Sequence, residues 1–316
     1  MKVTVRNLGF IKKAEIDLKP LTIFVGPNNA GKTWLAYTLA GIFGLYGFRK
    51  YSQAYIEENI PQAYPPLDDA IKRVLHKGSA TLDLVQFAQT FGETYFNNVA
   101  RFAQQWMPGF MSTQGASFEH LDIAVDLAET KTDFLEQVMN FSLRSEVPAG
   151  QTKPLLSIRK KRGERKLYIY TSTEYASVEE TSTEEQIAEQ LPLDVIKEFL
   201  VYRVFHALHS SLYPYVRTLP TERTTFITFP FGNRTISKVP LTVKEKPVQD
   251  LKMRAMIGPV NSFLTMINTT FEDELLGREQ REKNAKNSPK IKEYIQLAEL
   301  LEARILSGGV NFSQPD

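Results

Sequence analysis

The stretch that most constrains this chain is the octapeptide at residues 26–33, which reads GPNNAGKT. It satisfies every fixed position of the phosphate-binding loop pattern GxxxxGK[ST]. A short apolar run, residues 21–25, precedes the octapeptide, and residues 34–43 follow it with apolar side chains at helical spacing. The surroundings therefore predict a fully buried strand, a phosphate-binding loop and a helix, in that order.

The residue types in this loop each have a physical role in holding phosphate. Gly26 and Gly31 allow backbone conformations in which successive N–H groups turn towards phosphate oxygens. Lys32 supplies an ammonium group for the β- and γ-phosphates, and the hydroxyl of Thr33 is a ligand for Mg²⁺. The alternative interpretation, in which the segment binds no ligand, is a Gly-Asn turn between a strand and a helix beside a solvated lysine.

If residues 26–33 form a phosphate-binding loop, the predicted cofactors are ATP and Mg²⁺. Lys32 is then the predicted catalytic residue and Thr33 the predicted metal ligand. The predicted nucleotide-binding residues are Gly26, Pro27, Asn28, Asn29, Ala30, Gly31, Lys32, Thr33 and Trp34.

Composition narrows the class of protein. The 316 residues include no cysteine, which excludes disulfides, thiolate metal sites and a cysteine nucleophile. The net charge of +2 implies no attraction of the whole molecule for nucleic acid. No apolar run reaches the length of a membrane span, and the N-terminus begins with a strand pattern rather than a secretory signal. We therefore expect a cytoplasmic protein that has no membrane partner.

The segment before the loop resembles a known family. Two alternating stretches, about residues 2–8 and 14–18, predict half-exposed strands. The string VTVRNLGFIKKAEIDLKPLTIFVGPNNAGKT resembles the amino terminus of AAA-type ATPases of the ATP-binding-cassette lineage. That lineage includes structural-maintenance-of-chromosomes proteins, bacterial recombination ATPases and the ATPase part of overcoming-lysogenization-defect nucleases. The resemblance implies an antiparallel strand layer beside the nucleotide, Asn29 along the phosphates, and residues near Arg6 to Phe10 approaching the base.

The predicted fold class is α/β, a P-loop NTPase head with N-terminal antiparallel strands and a large, mainly helical insertion. Residues 1–45 form the first part of the head. In residues 46–213, segments 55–60, 67–75, 82–106 and 118–143 show apolar side chains at mixed three- and four-residue spacing, which predicts helices. Residues 214–316 return to the head, which stays incomplete at its C-terminus.

Within the insertion, residues 154–170 predict a β-hairpin with a basic tip. Residues 159–166 read RKKRGERK, six basic residues against one acid. They either contact phosphates of DNA or RNA, or stay solvated and discourage pairing at the sheet edge. A helix at about Leu193 to Leu212 follows. Its His206 and His209 lie one turn apart but lack a third metal ligand, so we expect ordinary histidines on a partly buried helix.

Two C-terminal motifs resemble the same family. Pro220-Thr221-Glu222-Arg223 is similar to a Pro-Ala-Glu-Arg motif at the return to the head, or it is a surface turn with a local ion pair. Leu306-Ser307-Gly308-Gly309 spells the start of the cassette signature, or it is a turn from a helix to a strand. No run of four apolar residues followed by Asp-Glu supplies the acidic motif that holds Mg²⁺ and activates water.

The resemblance implies an ATP- and Mg²⁺-binding ATPase module that gates a nucleic-acid-directed effector, such as a nuclease, in anti-phage defence. The alternatives are a DNA repair or recombination ATPase and a non-hydrolysing, ATP-responsive scaffold completed by a partner chain. The implied partners are further copies in a homodimer or higher oligomer, an effector protein and nucleic acid. Because the acidic motif is missing, the sequence leaves ATP hydrolysis by this chain alone open.

Overall fold

The computed structural model describes residues 1–111, 113, 117–149, 153–171, 192–213 and 216. The chain divides into two units, and every described residue belongs to the unit formed by Met1–Leu219 and Arg254–Pro259. The predictions for the Pro220–Arg223 and Leu306–Gly309 motifs lie outside the described residues.

The described residues form seven strands and six helices. In chain order they are β1 (Lys2–Leu8), β2 (Ile11–Asp17), α1 (Lys32–Phe43), α2 (Leu45–Ile56), α3 (Pro65–Lys77), β3 (Ser79–Asp83), α4 (Leu84–Phe110), β4 (Asp122–Asp126), α5 (Lys131–Asn140), β5 (Leu143–Ala149), β6 (Lys153–Lys160), β7 (Lys166–Thr171) and α6 (Leu193–Leu212).

The first sheet is antiparallel, and its strand order is β2-β1-β4. Its central strand, β1, buries Val3 and Val5 because these alternate residues point to the core face. Leu8 is buried as well, after Asn7, whose φ of 58° interrupts the alternation. The expected antiparallel pair at the N-terminus is therefore present. Its third strand was not expected: β4 pairs Ile123 with Val5 and Val125 with Val3.

The second sheet is also antiparallel, with the strand order β3-β7-β6-β5. One face is buried and contributes core residues from its central strands: Leu156, Ile158, Leu167 and Ile169. Strands β6 and β7 form the hairpin at the position where the sequence predicts one. Helices α3 and α4 contact this sheet, and among the described residues its other face carries the exposed side chains of Thr81, Arg144, Arg159 and Tyr168.

The mainly helical character predicted for residues 46–213 is not confirmed. Five strands, β3 to β7, lie in this range, and β4 falls inside segment 118–143, which was predicted to be helical. The physical reason is that β4 is only five residues long, so its two alternating apolar residues do not distinguish a strand from a helix. Its strand character comes from pairing with β1, more than 100 residues earlier in the chain.

Helices α2, α4 and α6 enclose an aromatic core. Tyr51 of α2, Tyr95 of α4 and Phe205 of α6 are fully buried, with ring centroids 5.0–5.6 Å apart. The Tyr51 hydroxyl shares a hydrogen bond of 2.8 Å with that of Tyr64, which satisfies both buried polar atoms. The helix expected at Leu193 to Leu212 is α6.

In the part of the chain that the structure describes, no helix combines the length and apolar character that crossing a membrane requires.

Candidate nucleotide-binding site

The segment that leads into the loop differs from its prediction. Residues 18–31 join β2 to α1 without forming a helix or a strand. Contrary to the expected fully buried strand at residues 21–25, Leu21, Ile23 and Val25 are 79%, 72% and 85% exposed. A buried strand needs hydrogen-bonded neighbours, but within the described residues β1, β2 and β4 pair only with one another. The neighbours expected from residues 214–316 lie outside the described residues.

The loop has the backbone conformation that its glycines permit. Gly26 has φ 149° and Gly31 has φ 81°, both in the region that other residues rarely adopt. A Cβ on Gly31 would also lie 2.5 Å from Cδ1 of Ile11, closer than any real contact. Asn29, at φ 61°, is the third residue with positive φ in the loop. The backbone angle thus favours glycine at position 31, and a larger residue there would also have to displace the Ile11 side chain of β2.

Lys32 folds back over the loop. Its Nζ donates hydrogen bonds to the carbonyl oxygens of Gly26, at 2.8 Å, and of Pro27, at 2.6 Å. These bonds hold the ammonium group at the loop, whose residues 26–30 are all exposed. A phosphate that enters the loop therefore meets a positive charge that is already in position.

The N-terminus of α1 completes the phosphate-binding geometry. Gly31 is its N-cap, no side chain caps the first N–H groups, and no acidic residue lies in the first turn. Those uncapped N–H groups, together with the positive end of the helix dipole, can therefore bind an anion.

Thr33 is the residue that fits the predicted Mg²⁺. It lies at the second position of α1 and is half-buried. Mg²⁺ beside a nucleotide commonly takes only one or two protein oxygens, its other ligands being phosphate and water. Within the described residues, no group of three or more His, Cys, Asp or Glu side chains could hold a metal ion. The Thr33 hydroxyl thus fits one position of a nucleotide-bound Mg²⁺.

The side chain of Trp34 packs against the residues beneath the loop. Its ring stacks on Phe118 with centroids 5.8 Å apart, and a Cβ on Gly9 would lie 3.4 Å from the indole. The Trp34 side chain thus packs under the β1–β2 turn, so the nucleotide would meet its backbone. Phe10, in that same turn, is 64% exposed, and its ring edge lies 3.3 Å from the Cβ position of Gly31. An exposed aromatic ring therefore stands beside the loop.

The C-terminal end of α1 is anchored in the core by His209, a residue whose role the sequence did not indicate. The Nε2 atom of His209 donates to the Phe43 carbonyl at 2.9 Å, and Nδ1 accepts from the Tyr95 hydroxyl at 3.2 Å. Burial lowers the pKa of His209 to about 4, so the ring is neutral. Neutral His209 therefore joins the helix of the phosphate-binding loop to α4 and α6.

The second histidine of α6 lies nearby in a different environment. The Nε2 atom of His206 lies 3.2 Å from the Ser210 hydroxyl, and burial lowers the pKa of this ring as well. The Phe48 ring lies within 6 Å of both histidine rings. As expected, the two histidines are packed side chains of a partly buried helix.

Two surface depressions, about 630 Å³ and 290 Å³ in volume, lie on the second sheet and include no residue of the loop. The exposed residues 26–30 of the phosphate-binding loop therefore lie apart from these two depressions.

A comparison with known proteins agrees with this geometry. The family model described as the AAA ATPase domain matches residues 1–299 of the 316. No match was found among the curated proteins or among the solved structures. The phosphate-binding loop and a family match over almost the whole sequence have the same implication: this chain is a P-loop NTPase that belongs to the AAA ATPase domain family.

Proposed function

We propose that this chain binds Mg·ATP through Gly26–Thr33 and works as an ATPase module. The observation that carries the proposal is the position of Lys32, whose ammonium group lies against the Gly26 and Pro27 carbonyls at the uncapped start of α1. The family is one of ATPases, so the chemistry of the site and the family agree.

Each residue of the site has a distinct part in nucleotide binding. The backbone N–H groups of the loop, all but that of Pro27, which has none, surround the phosphates, and Lys32 turns from the loop carbonyls to the β- and γ-phosphates. The hydroxyl of Thr33 would be one ligand of the Mg²⁺ ion that accompanies the nucleotide. The positive charge of this ion would offset the negative charge of the phosphates. Phe10 stacks on the adenine, since its exposed ring lies beside the N-cap of α1.

We further propose that nucleotide turnover gates a nucleic-acid-directed effector in anti-phage defence, with two or more copies of the chain acting together. The resemblance of residues 3–33 to the ATP-binding-cassette lineage supports this role. In this scheme two heads close on ATP and open after hydrolysis. A DNA repair or recombination ATPase is the alternative role for the same cycle.

A second candidate function is a non-hydrolysing, ATP-responsive scaffold that a partner chain completes. One observation favours it: the sequence has no apolar run ending in Asp-Glu, and the described residues have no cluster of acidic side chains that could hold a metal. ATP would then be bound without turnover, and binding alone would change the state of the assembly.

Equilibrium binding of a fluorescent ATP analogue and phosphate release separate these functions. We would measure both with Mg²⁺ for the wild type, for Lys32→Ala and for Lys12→Ala, which removes an exposed lysine from β2 as a matched control. The proposal predicts binding and turnover that are lost in Lys32→Ala and retained in Lys12→Ala. Binding without turnover would support the scaffold, and equal binding by all three proteins would overturn the site.

A further inference from the structure

The solvent-exposed face of the second sheet carries an unusual set of side chains. Along β7, Lys166 and Tyr168 are exposed and Tyr170 is half-buried, whereas Leu167 and Ile169 between them are buried. The registers with the neighbouring strands place further residues on the same face. They are Ser79, Thr81 and Asp83 of β3, Ser157 and Arg159 of β6, and Arg144 and Glu146 of β5.

One row of residues crosses all four strands of this face. Arg144 of β5 is directly opposite Arg159 of β6, Arg159 is opposite Tyr168 of β7, and Tyr168 is opposite Thr81 of β3. Like charges in directly opposite positions destabilise a sheet unless something lies between them. Both arginines are exposed. Glu146 already neutralises part of this charge through its bonds to Arg144, whereas Arg159 forms no ion pair with another described residue, so an anionic group beside Arg159 would remove the remaining repulsion.

The acids near this face are already paired, which leaves an excess of positive charge. Glu146 bonds to Arg144 at 3.0 Å, Asp83 to Arg165 at 3.1 Å, and Glu164 lies 3.9 Å from Lys161. Five exposed cations on or beside the face form no ion pair with another described residue: Arg73, Lys77, Arg159, Arg162 and Lys166.

The two depressions lie along the same row. Arg144 and Arg159 line the smaller one, of about 290 Å³, together with Lys161 and Arg162. Tyr168 and Tyr170 line the larger one, of about 630 Å³, together with Arg73 and Lys77 of α3. Cations therefore stand at both ends of the row, and an aromatic ring that is 43% exposed lies between them.

We propose that this face binds single-stranded nucleic acid. Tyr168 stacks on an unpaired base, and Arg144 and Arg159 hold the adjacent phosphates. A duplex would leave Tyr168 unused, because its bases are already stacked and paired. A four-stranded sheet with exposed aromatic residues is a surface that single strands are known to use.

Lys160, which the sequence places among the basic residues of the hairpin tip, borders the smaller depression but does not present its ammonium group to solvent. It is 2% exposed, and its Nζ donates to the carbonyls of Met139 and Phe141 at 2.8 Å. The nucleic-acid surface is therefore the face of the sheet rather than the whole basic tip.

Fluorescence anisotropy with labelled oligo(dT) and oligo(U) tests the proposal on the full chain. Tyr168→Ala should weaken binding about tenfold, whereas Tyr168→Phe, which keeps the ring, should bind like the wild type. Because each lost phosphate contact lowers the slope of log K against log salt by roughly 0.7, Arg144→Ala/Arg159→Ala should lower it by about 1.4. Arg49→Ala/Arg101→Ala, which removes two exposed arginines of α2 and α4, is the control and should leave the slope unchanged.

Several outcomes would overturn the assignment. They are an undetectable complex with both oligonucleotides at low salt, equal affinity of wild type and Tyr168→Ala, or tighter binding of a duplex that does not depend on Tyr168. Displacement of the oligonucleotide by polyglutamate in a manner that ignores Tyr168 would instead indicate an acidic protein partner, and would also overturn it. A preference between oligo(dT) and oligo(U) would distinguish DNA from RNA.

This test is independent of the ATPase proposal. Lys32→Ala should bind the oligonucleotides like the wild type, because the loop contributes no residue to this face. Loss of ATP binding with intact oligonucleotide binding, or the reverse, would therefore show which of the two proposals has failed.

Discussion

Lys32 and Lys160, in two different parts of the molecule, make the same kind of hydrogen bonds: each ammonium group donates to two backbone carbonyls. Lys32 donates to the carbonyls of Gly26 and Pro27 in the phosphate-binding loop, and Lys160 donates to those of Met139 and Phe141 at the end of α5. Lys32 is half-buried beside an exposed loop, whereas Lys160 is 2% exposed. The same bonds therefore serve different purposes, because only Lys32 can exchange a carbonyl for an incoming phosphate.

The comparison shows that solvent access, more than hydrogen bonding, distinguishes Lys32, which we propose binds phosphate, from the structural Lys160. Lys160 satisfies the last carbonyls of α5, a position where a cation also meets the negative end of the helix dipole. Burial lowers the pKa of Lys160 because removal from water disfavours its charge. Lys160 thus fastens the hairpin to α5.

The largest effect on stability should follow the removal of the buried lysine. Lys160→Met keeps the aliphatic length but leaves two carbonyl oxygens without their charged donor, so we expect the free energy of unfolding to fall by about 3 kcal/mol. Lys161→Met, at the exposed neighbouring position, should change it by less than about 0.5 kcal/mol. Urea denaturation of the two variants checks this. Equal stability of Lys160→Met and Lys161→Met would contradict the structural role of Lys160.

The pH dependence of the free energy of unfolding tests the role of neutral His209 at the C-terminal end of α1. The pKa of His209 is about 4 in the folded chain against an ordinary value of 6.5, so the unfolded chain binds more protons between these values. The contribution of neutral His209 is complete above pH 7 and is lost as the pH falls from 6.5 towards 4. We expect a loss of about 2 kcal/mol between pH 7 and pH 5 from this residue. His206 acts in the same direction.

His209→Gln is the control for this effect. It should be less stable at pH 7, and the part of the pH dependence that comes from His209 should disappear from its denaturation curves. A pH dependence identical to that of the wild type would show that His209 does not titrate as the structure implies.

The smallest effect should follow from the exposed ring beside the loop. Phe10→Ala should weaken ATP binding by about 1 kcal/mol, or roughly fivefold, through lost stacking on the base. Since stacking requires only a ring, Phe10→Tyr should bind ATP like the wild type. Inorganic triphosphate, which has no base, should bind Phe10→Ala and wild type equally. A weaker affinity of Phe10→Ala for triphosphate would place Phe10 near the phosphates instead.

The sequence predicted the parts of the molecule that depend on local chemistry. The residues at positions 26, 31 and 32 follow a pattern whose spacing reflects backbone geometry, and the structure has positive φ at both glycines. The apolar face of Leu193 to Leu212 similarly predicted α6 with its observed bounds. In both cases the information lies within one turn or one helix.

What the sequence did not predict depends on contacts between distant segments. β4 becomes a strand by pairing with β1, and Lys160 is buried because α5, some 20 residues earlier, places two carbonyls above it. The pattern of residues 21–25 indicated a buried strand, yet alternate side chains of this run are exposed in the described structure. Neither the pairing of β4 nor the burial of Lys160 leaves a signal in the adjacent residues.

The most direct test of the central claim is the affinity of Mg·ATP for three proteins: wild type, Lys32→Met and Lys160→Met. Titration calorimetry below the unfolding temperature of all three measures it. The account predicts that Lys32→Met loses roughly 100-fold in affinity, through the missing charge on the phosphates, while Lys160→Met binds like the wild type despite its lower stability. Retained ATP affinity in Lys32→Met would contradict the assignment of residues 26–33 as the nucleotide site.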